Sequence, residues 1–131
     1  MKGIADTGFL VAFLNRRDAH HAWACALAET VETPLLTVEA VLAETAFQVG
    51  SVETIMKLIP SGLIQLDFTL NKNLQRVATL AKRYADRSPD LADLCLICLS
   101  ERHPKHPIIT VDGDFLIYRR HQRERIPVIM P

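Results

Sequence analysis

Short apolar runs closed by polar turns recur along this chain, with helical periodicity between them. The clearest is Ile108-Ile109-Thr110-Val111-Asp112-Gly113-Asp114-Phe115. β-Branched apolar residues follow Pro107, and two carboxylates flank a glycine at the end of the run. That pattern predicts a short buried strand delivered into a polar turn. Gly3-Ile4-Ala5 repeats it near the N-terminus, with Asp6 at its end and Thr7-Gly8-Phe9-Leu10 turning directly into a helix. Asp18 is placed to cap a second helix through about Val31, with Ala22, Ala26 and Leu27 on one side, until Thr33-Pro34 breaks it. Leu35-Leu36 predicts a very short strand, and Thr37 can cap a third helix running to Gly50. Ser51 can cap another, from about Val52 to Ile59, ended by Pro60 and Gly62.

Leu63-Ile64-Gln65-Leu66 predicts a strand, and Leu70, Leu74, Val77, Ala78, Ala81 and Tyr84 recur at helical spacing. Ser88-Pro89 marks the start of a helix reaching about Arg102. A short helix after Gly113 and a last strand near Val128-Ile129 complete the series. Short strands alternating with helices predict an α/β fold, a parallel sheet with helices on both faces and right-handed crossovers. No repeat, low-complexity tract or linker interrupts it, so one domain over residues 1–131 is expected.

Composition narrows the class. A hydrophobic fraction of 49% predicts a substantial core. Fifteen basic and fifteen acidic residues cancel, so nucleic-acid binding would rest on local patches or on metal. Three cysteines without a framework spacing suit a reducing compartment. No signal peptide precedes Asp6, and no apolar run approaches the ~20 residues of a membrane span. A soluble, cytoplasmic protein with no membrane partner is expected.

The chemistry lies in the carboxylates. Asp6 and Asp112 close two strands and would share one edge of a parallel sheet, where ligands collect in open α/β folds. Glu44 sits among Val41, Leu42, Phe47 and Val49 on a helix that looks apolar round much of its circumference, an expensive place for an ionised acid. Asp93 precedes an unbroken apolar run and lies past the expected first turn of its helix. Asp90, inside that turn, is explained by the helix dipole. Four such acids without basic neighbours in sequence would repel one another unless a cation sat between them, and hard oxygen ligands suit Mg²⁺ or Mn²⁺.

The set Asp6-Thr7-Gly8-Phe9-Leu10, Glu44, Asp93 and Thr110-Val111-Asp112-Gly113-Asp114-Phe115 resembles the PIN-domain ribonucleases, among them VapC-type toxins of toxin–antitoxin pairs. The resemblance covers essentially the whole chain. It implies a PIN-like three-layer α/β/α sandwich around about five short parallel strands, and a Mg²⁺- or Mn²⁺-dependent endoribonuclease. Asp6, Glu44, Asp93 and Asp112 match the acidic quartet that holds metal and catalyses, and Asp114 matches an accessory metal ligand. Thr7 and Thr110 match supporting hydroxyls. An RNA substrate, a small antitoxin covering an apolar groove among the N-terminal helices, and a homodimer follow from the same resemblance.

Other residues have plainer roles. Cys95 and Cys98 form a C-x-x-C in mid-helix, which suits core packing better than redox or zinc chemistry. Asp67 is expected to be a loop acid, His20 and His21 surface or groove residues, and Trp23 core or interface. Arg16 and Arg17, and Arg119 and Arg120 within Tyr118–Arg125, are candidate phosphate contacts, with a solvated face as the plain alternative. The alternative function is a catalytically inactive PIN-like module for binding protein or RNA. A phosphoryl-receiver domain is disfavoured, because it needs a second acid beside Asp6 and a lysine after the late strand.

Overall fold

Ile4–Ala5 (β1) and Ile108–Ile109 (β4) lie side by side in a sheet, Ile4 opposite Ile108 and Ala5 opposite Ile109. The structure is a computed structural model and describes residues 1–131. Leu35–Thr37 (β2) and Ile64–Leu66 (β3) extend the sheet on one side, and Val128–Ile129 (β7) on the other. The five strands run in the order β3-β2-β1-β4-β7, all parallel, as expected. An antiparallel hairpin, Arg119–Arg120 (β5) with Glu124–Arg125 (β6), stands apart from the sheet. The sequence pattern gave no sign of it.

Six helices connect the strands: α1 (Thr7–Leu14), α2 (His21–Ala28), α3 (Glu39–Val49), α4 (Val52–Met56), α5 (Leu74–Arg83) and α6 (Leu91–Arg102). The chain steps outward from β1 to β2 to β3, then returns past β1 to reach β4. Right-handed crossovers therefore place α1 to α4 on one face and α5 and α6 on the other. β1 and β4 meet where the direction of winding reverses, the point at which open α/β sheets form their crevice.

The core follows from the pattern. Ile4, Ala5, Leu35, Ile108 and Ile109 are fully buried. Leu94 through Ser100 of α6 are all buried, including Cys95 and Cys98, so both thiols pack in the core. Burial pushes those thiols up to about 11 and about 12.

Several boundaries differ from expectation. Thr37 ends β2 instead of capping α3; its buried hydroxyl donates to the Ala5 carbonyl and ties two strands together. Asp18 binds the backbone N–H of His20 in a turn, so α2 starts only at His21 and buries Ala24 instead of Ala22 and Ala26. Ser51 does cap α4, but that helix stops at Met56. Leu70 falls in a separate 3₁₀ turn, and α5 buries Val77, Leu80 and, at its end, Tyr84. Asp90, not Ser88, caps α6 by accepting from the Asp93 N–H. Asp93 is thus inside the first turn, and the dipole acts on it more than the sequence suggested.

α1 leaves the sheet edge with Gly8 pressed against Val111 in the turn that follows β4. A Cβ at Gly8 would lie 2.3 Å from Cγ2 of Val111, whose branched side chain has little freedom to move. Gly8→Ala is expected to destabilise the fold by about 2 kcal/mol despite alanine's better helix propensity. Chemical denaturation checks this, and Gly8→Ala with Val111→Ala should recover part of the loss.

Candidate active site

Pairing of Ala5 with Ile109 sets Asp6 beside Thr110 across the sheet edge. The Thr110 hydroxyl donates to Asp6 Oδ2 at 2.6 Å and accepts the Asp112 N–H at 2.9 Å. Asp6 caps α1, its Oδ1 accepting the Thr7 N–H at 2.7 Å. The Thr7 hydroxyl donates to Glu44 Oε2 at 3.0 Å. Two threonines therefore link Asp6, Asp112 and Glu44 through β1, β4 and α3. Asp93 stands at the start of α6, 7% exposed, with the Tyr118 hydroxyl 3.3 Å from its Oδ2.

Burial decides the electrostatics. Asp6 is 6% exposed, and loss of solvent raises it from 3.8 to about 6, against the pull of Thr110 and Thr7; Asp112 and Asp90 add to the rise. Asp93 is raised further, to about 8, by burial and then by the charges of Asp90, Asp6 and Asp112. Burial also raises Glu44, which Thr7 opposes and Asp90 reinforces. Tyr118 is raised by burial and by Asp93, so it stands as a neutral donor.

The structure thus gathers Asp6, Glu44, Asp93 and Asp112, with Thr7 and Thr110 bridging them. Glu44 is half-buried, not enclosed: α3 leaves Phe47 88% exposed, so that helix is not apolar all round. Asp114 sits at the rim, 3.7 Å from Arg87, with its N–H on Asp112 Oδ1. Two residues of the cluster were missed. Asp90 serves as a cap, as expected, and also charges the site. Tyr118 looked like part of a basic surface run but is fully buried beneath Asp93. Its signal was the three-residue spacing from Phe115, since both rings share one buried face at 5.4 Å.

The arginines need correction. Arg120 is 3% exposed, and its guanidinium donates to the Ser100 carbonyl and hydroxyl, the Pro104 carbonyl and Glu124, so it has no reach to a phosphate. Arg16 and Arg17 follow the C-terminal end of α1, about 12 Å along the helix from Asp6 and away from the acids. Arg119 holds three nearby carbonyls with one nitrogen and is half-buried.

As placed, no three His, Cys, Asp or Glu side chains surround one point closely enough to hold an ion. The donor chemistry nevertheless fits a hard divalent cation. Two buried carboxylates and two partly buried ones share a site, and none of them forms a salt bridge. Burial and mutual repulsion raise Asp6 and Asp93, and a cation at this place would relieve both.

The sheet order and the helices around it form a PIN-like α/β/α fold. One solved structure with this fold is VapC20 of Mycobacterium tuberculosis, described as a sarcin–ricin loop cleaving toxin. It is similar with a TM-score of 0.75 and 19% identity over 87% of this chain and 92% of that one. At this identity the likeness establishes the fold. No protein-family model and no curated protein sequence matches the chain.

Because the folded state keeps protons on Asp6 and Asp93 that the unfolded chain has lost, the contribution of these two acids to stability is fullest below about pH 4. It falls as pH rises through about 6 and about 8. In excess chelator the Tm is expected to drop by roughly 10 °C between pH 5 and 8.5. Asp93→Asn should flatten the upper part of that decline. A Tm that rises with pH would contradict it.

Proposed function

We infer that this chain is a single-domain, metal-dependent endoribonuclease, the toxin of a toxin–antitoxin pair, acting in the cytoplasm. The observation that carries the proposal is the burial of Asp6 and Asp93 together at the reversal point of the sheet with no cation of the protein beside them. Asp6, Asp93 and Asp112 would hold Mg²⁺ or Mn²⁺, with Glu44 at the open side and Asp114 in an accessory place at the rim. A divalent cation there supplies charge neutralisation at a phosphodiester and lowers the pKa of bound water.

The chain's own residues do the positioning. Thr110 fixes Asp6 and the Asp112 backbone at once, and Thr7 aims Glu44 at the open side of the cluster. Tyr118 holds Oδ2 of Asp93. Glu44, half-buried and raised, is the acid best placed to exchange a proton with water entering from solvent.

An apolar groove between α3 and α4 supports a protein partner. Phe47, Val52 and Met56 line it and are 88%, 65% and 56% exposed. Single-residue exposure is ordinary, but a contiguous apolar strip of this kind marks an interaction site. It suits the antitoxin or the second subunit of a homodimer. The alternative, an inactive binding module, is favoured by one observation: no three acids converge on a point as placed.

Mixed RNA incubated with the purified chain in Mn²⁺ should be cut. Asp6→Asn and Asp93→Asn should each lower the rate by at least about a hundredfold, in line with losing a group that holds the reacting centre. Cutting that survives in either variant, or in excess chelator, contradicts the proposal. Absence of cutting together with absence of metal binding selects the inactive module.

A further inference from the structure

The chain has no net charge, but its charges are not evenly spread. Three shallow polar hollows adjoin one another along α5 and the β5–β6 hairpin, and all three share Arg76. Their walls carry Lys72, Arg76, Arg83, Arg102 and Arg123 against one carboxylate, Glu101. Arg76 holds that carboxylate with two hydrogen bonds of 2.8 and 2.7 Å, which neutralises both. The other four cations make no salt bridge. Arg83 donates to the Gln122 carbonyl at the hairpin tip, where His121 and Gln122 adopt φ of 47° and 71°. The hairpin is thereby fixed against α5, with Arg123 and Arg125 exposed while Arg120 is turned inward.

This face is connected to the acidic cluster. Tyr84, at the end of α5, meets Tyr118 edge-on at 5.0 Å, and Tyr118 reaches Asp93. Arg87 beyond Tyr84 stands against Asp114 at the rim. A polyanion lying along α5 would therefore arrive at the carboxylates by way of Arg87.

The lining also limits the form of the ligand. It contains no Phe, Tyr or Trp, and Tyr84 is buried with the Arg83 guanidinium over its ring at 5.3 Å. Unpaired bases are held by stacking on open rings, which this face lacks. Guanidinium and ammonium groups without rings suit a phosphate backbone whose bases are already stacked within a helix.

We propose that α5 and the β5–β6 hairpin form a docking surface for the phosphate backbone of base-paired RNA, which presents the strand to the acids at the sheet edge. The proposal rests on the nuclease function inferred above for its biological sense, but its test is independent of cleavage.

The test is fluorescence anisotropy with the full chain in excess chelator, over a salt series. The probes are a labelled RNA duplex of about 16 base pairs and oligo(U) of matched length. The duplex should bind more tightly. Lys72→Gln with Arg123→Gln, two side chains without intramolecular partners, should weaken duplex binding roughly tenfold at low salt. It should also reduce the slope of log affinity against log salt by about 1.5. Arg83→Gln should add to the loss, and Lys57→Gln just after α4 should change nothing. An unchanged slope in the double variant overturns the surface. Tighter binding of oligo(U) overturns the assignment to base-paired RNA. Duplex binding that depends on these residues in a chain that cuts no RNA in Mn²⁺ would leave the surface standing and remove the nuclease.

Discussion

A carboxylate with almost no exposed surface, bonded to a threonine 104 residues away, fixes the layout of this molecule. Asp6 must lie where β1 ends, because its N–H is taken by the Ile109 carbonyl and its side chain caps α1. Thr110 must lie beside it because β4 pairs with β1 in parallel register. Keeping Asp6 ionised in that place costs about 3 kcal/mol relative to water, judged from its rise from 3.8 to about 6. Asp93 adds a second buried acid to the same crevice, raised further still. A fold selected for stability alone would replace such a pair with apolar residues of similar size. Buried acids perturbed in this way mark a candidate functional site.

The supporting parts follow from that constraint. Thr7, Thr110 and Tyr118 each donate to one acid, and none of them brings a positive charge. They orient the carboxylates without neutralising them. Several of the positive charges lie on α5 and the hairpin, and Arg120 is committed to structure. Separating the two signs lets a chain of zero net charge present an electronegative crevice next to an electropositive track.

Much of this was legible in the sequence. The nearness of Asp6 and Asp112 was readable because apolar runs stop at polar turns and parallel pairing brings those turns to one edge, although β4 ends at Ile109 and Asp112 caps the turn beyond it. The buried face of α6 was legible from its unbroken apolar run. What was not legible depended on tertiary choices. Thr37 had the residue type of a cap but was recruited into β2 by the Ala5 carbonyl. Phe47 looked like core and is exposed, because α3 packs through Val41, Leu42 and Thr45 instead. The basic run after Tyr118 looked like one charged face. Pairing of Arg119 with Arg125 and Arg120 with Glu124 folded it into a hairpin that turned Arg120 inward, while Tyr118 just before it is buried. Two-residue strands of charged residues carry no hydrophobic alternation from which to predict them.

The most direct test is calorimetric titration of Mn²⁺ into the chain at pH 7, repeated in two buffers of different ionisation enthalpy. If the buried acids are neutralised by protons until a cation replaces them, binding must release protons, and the heat must change with the buffer. Asp93 is the main proton holder at that pH, so Asp93→Asn should weaken binding and abolish most of the buffer dependence. No binding at millimolar Mn²⁺, or binding whose heat is the same in both buffers and in Asp93→Asn, would contradict the account.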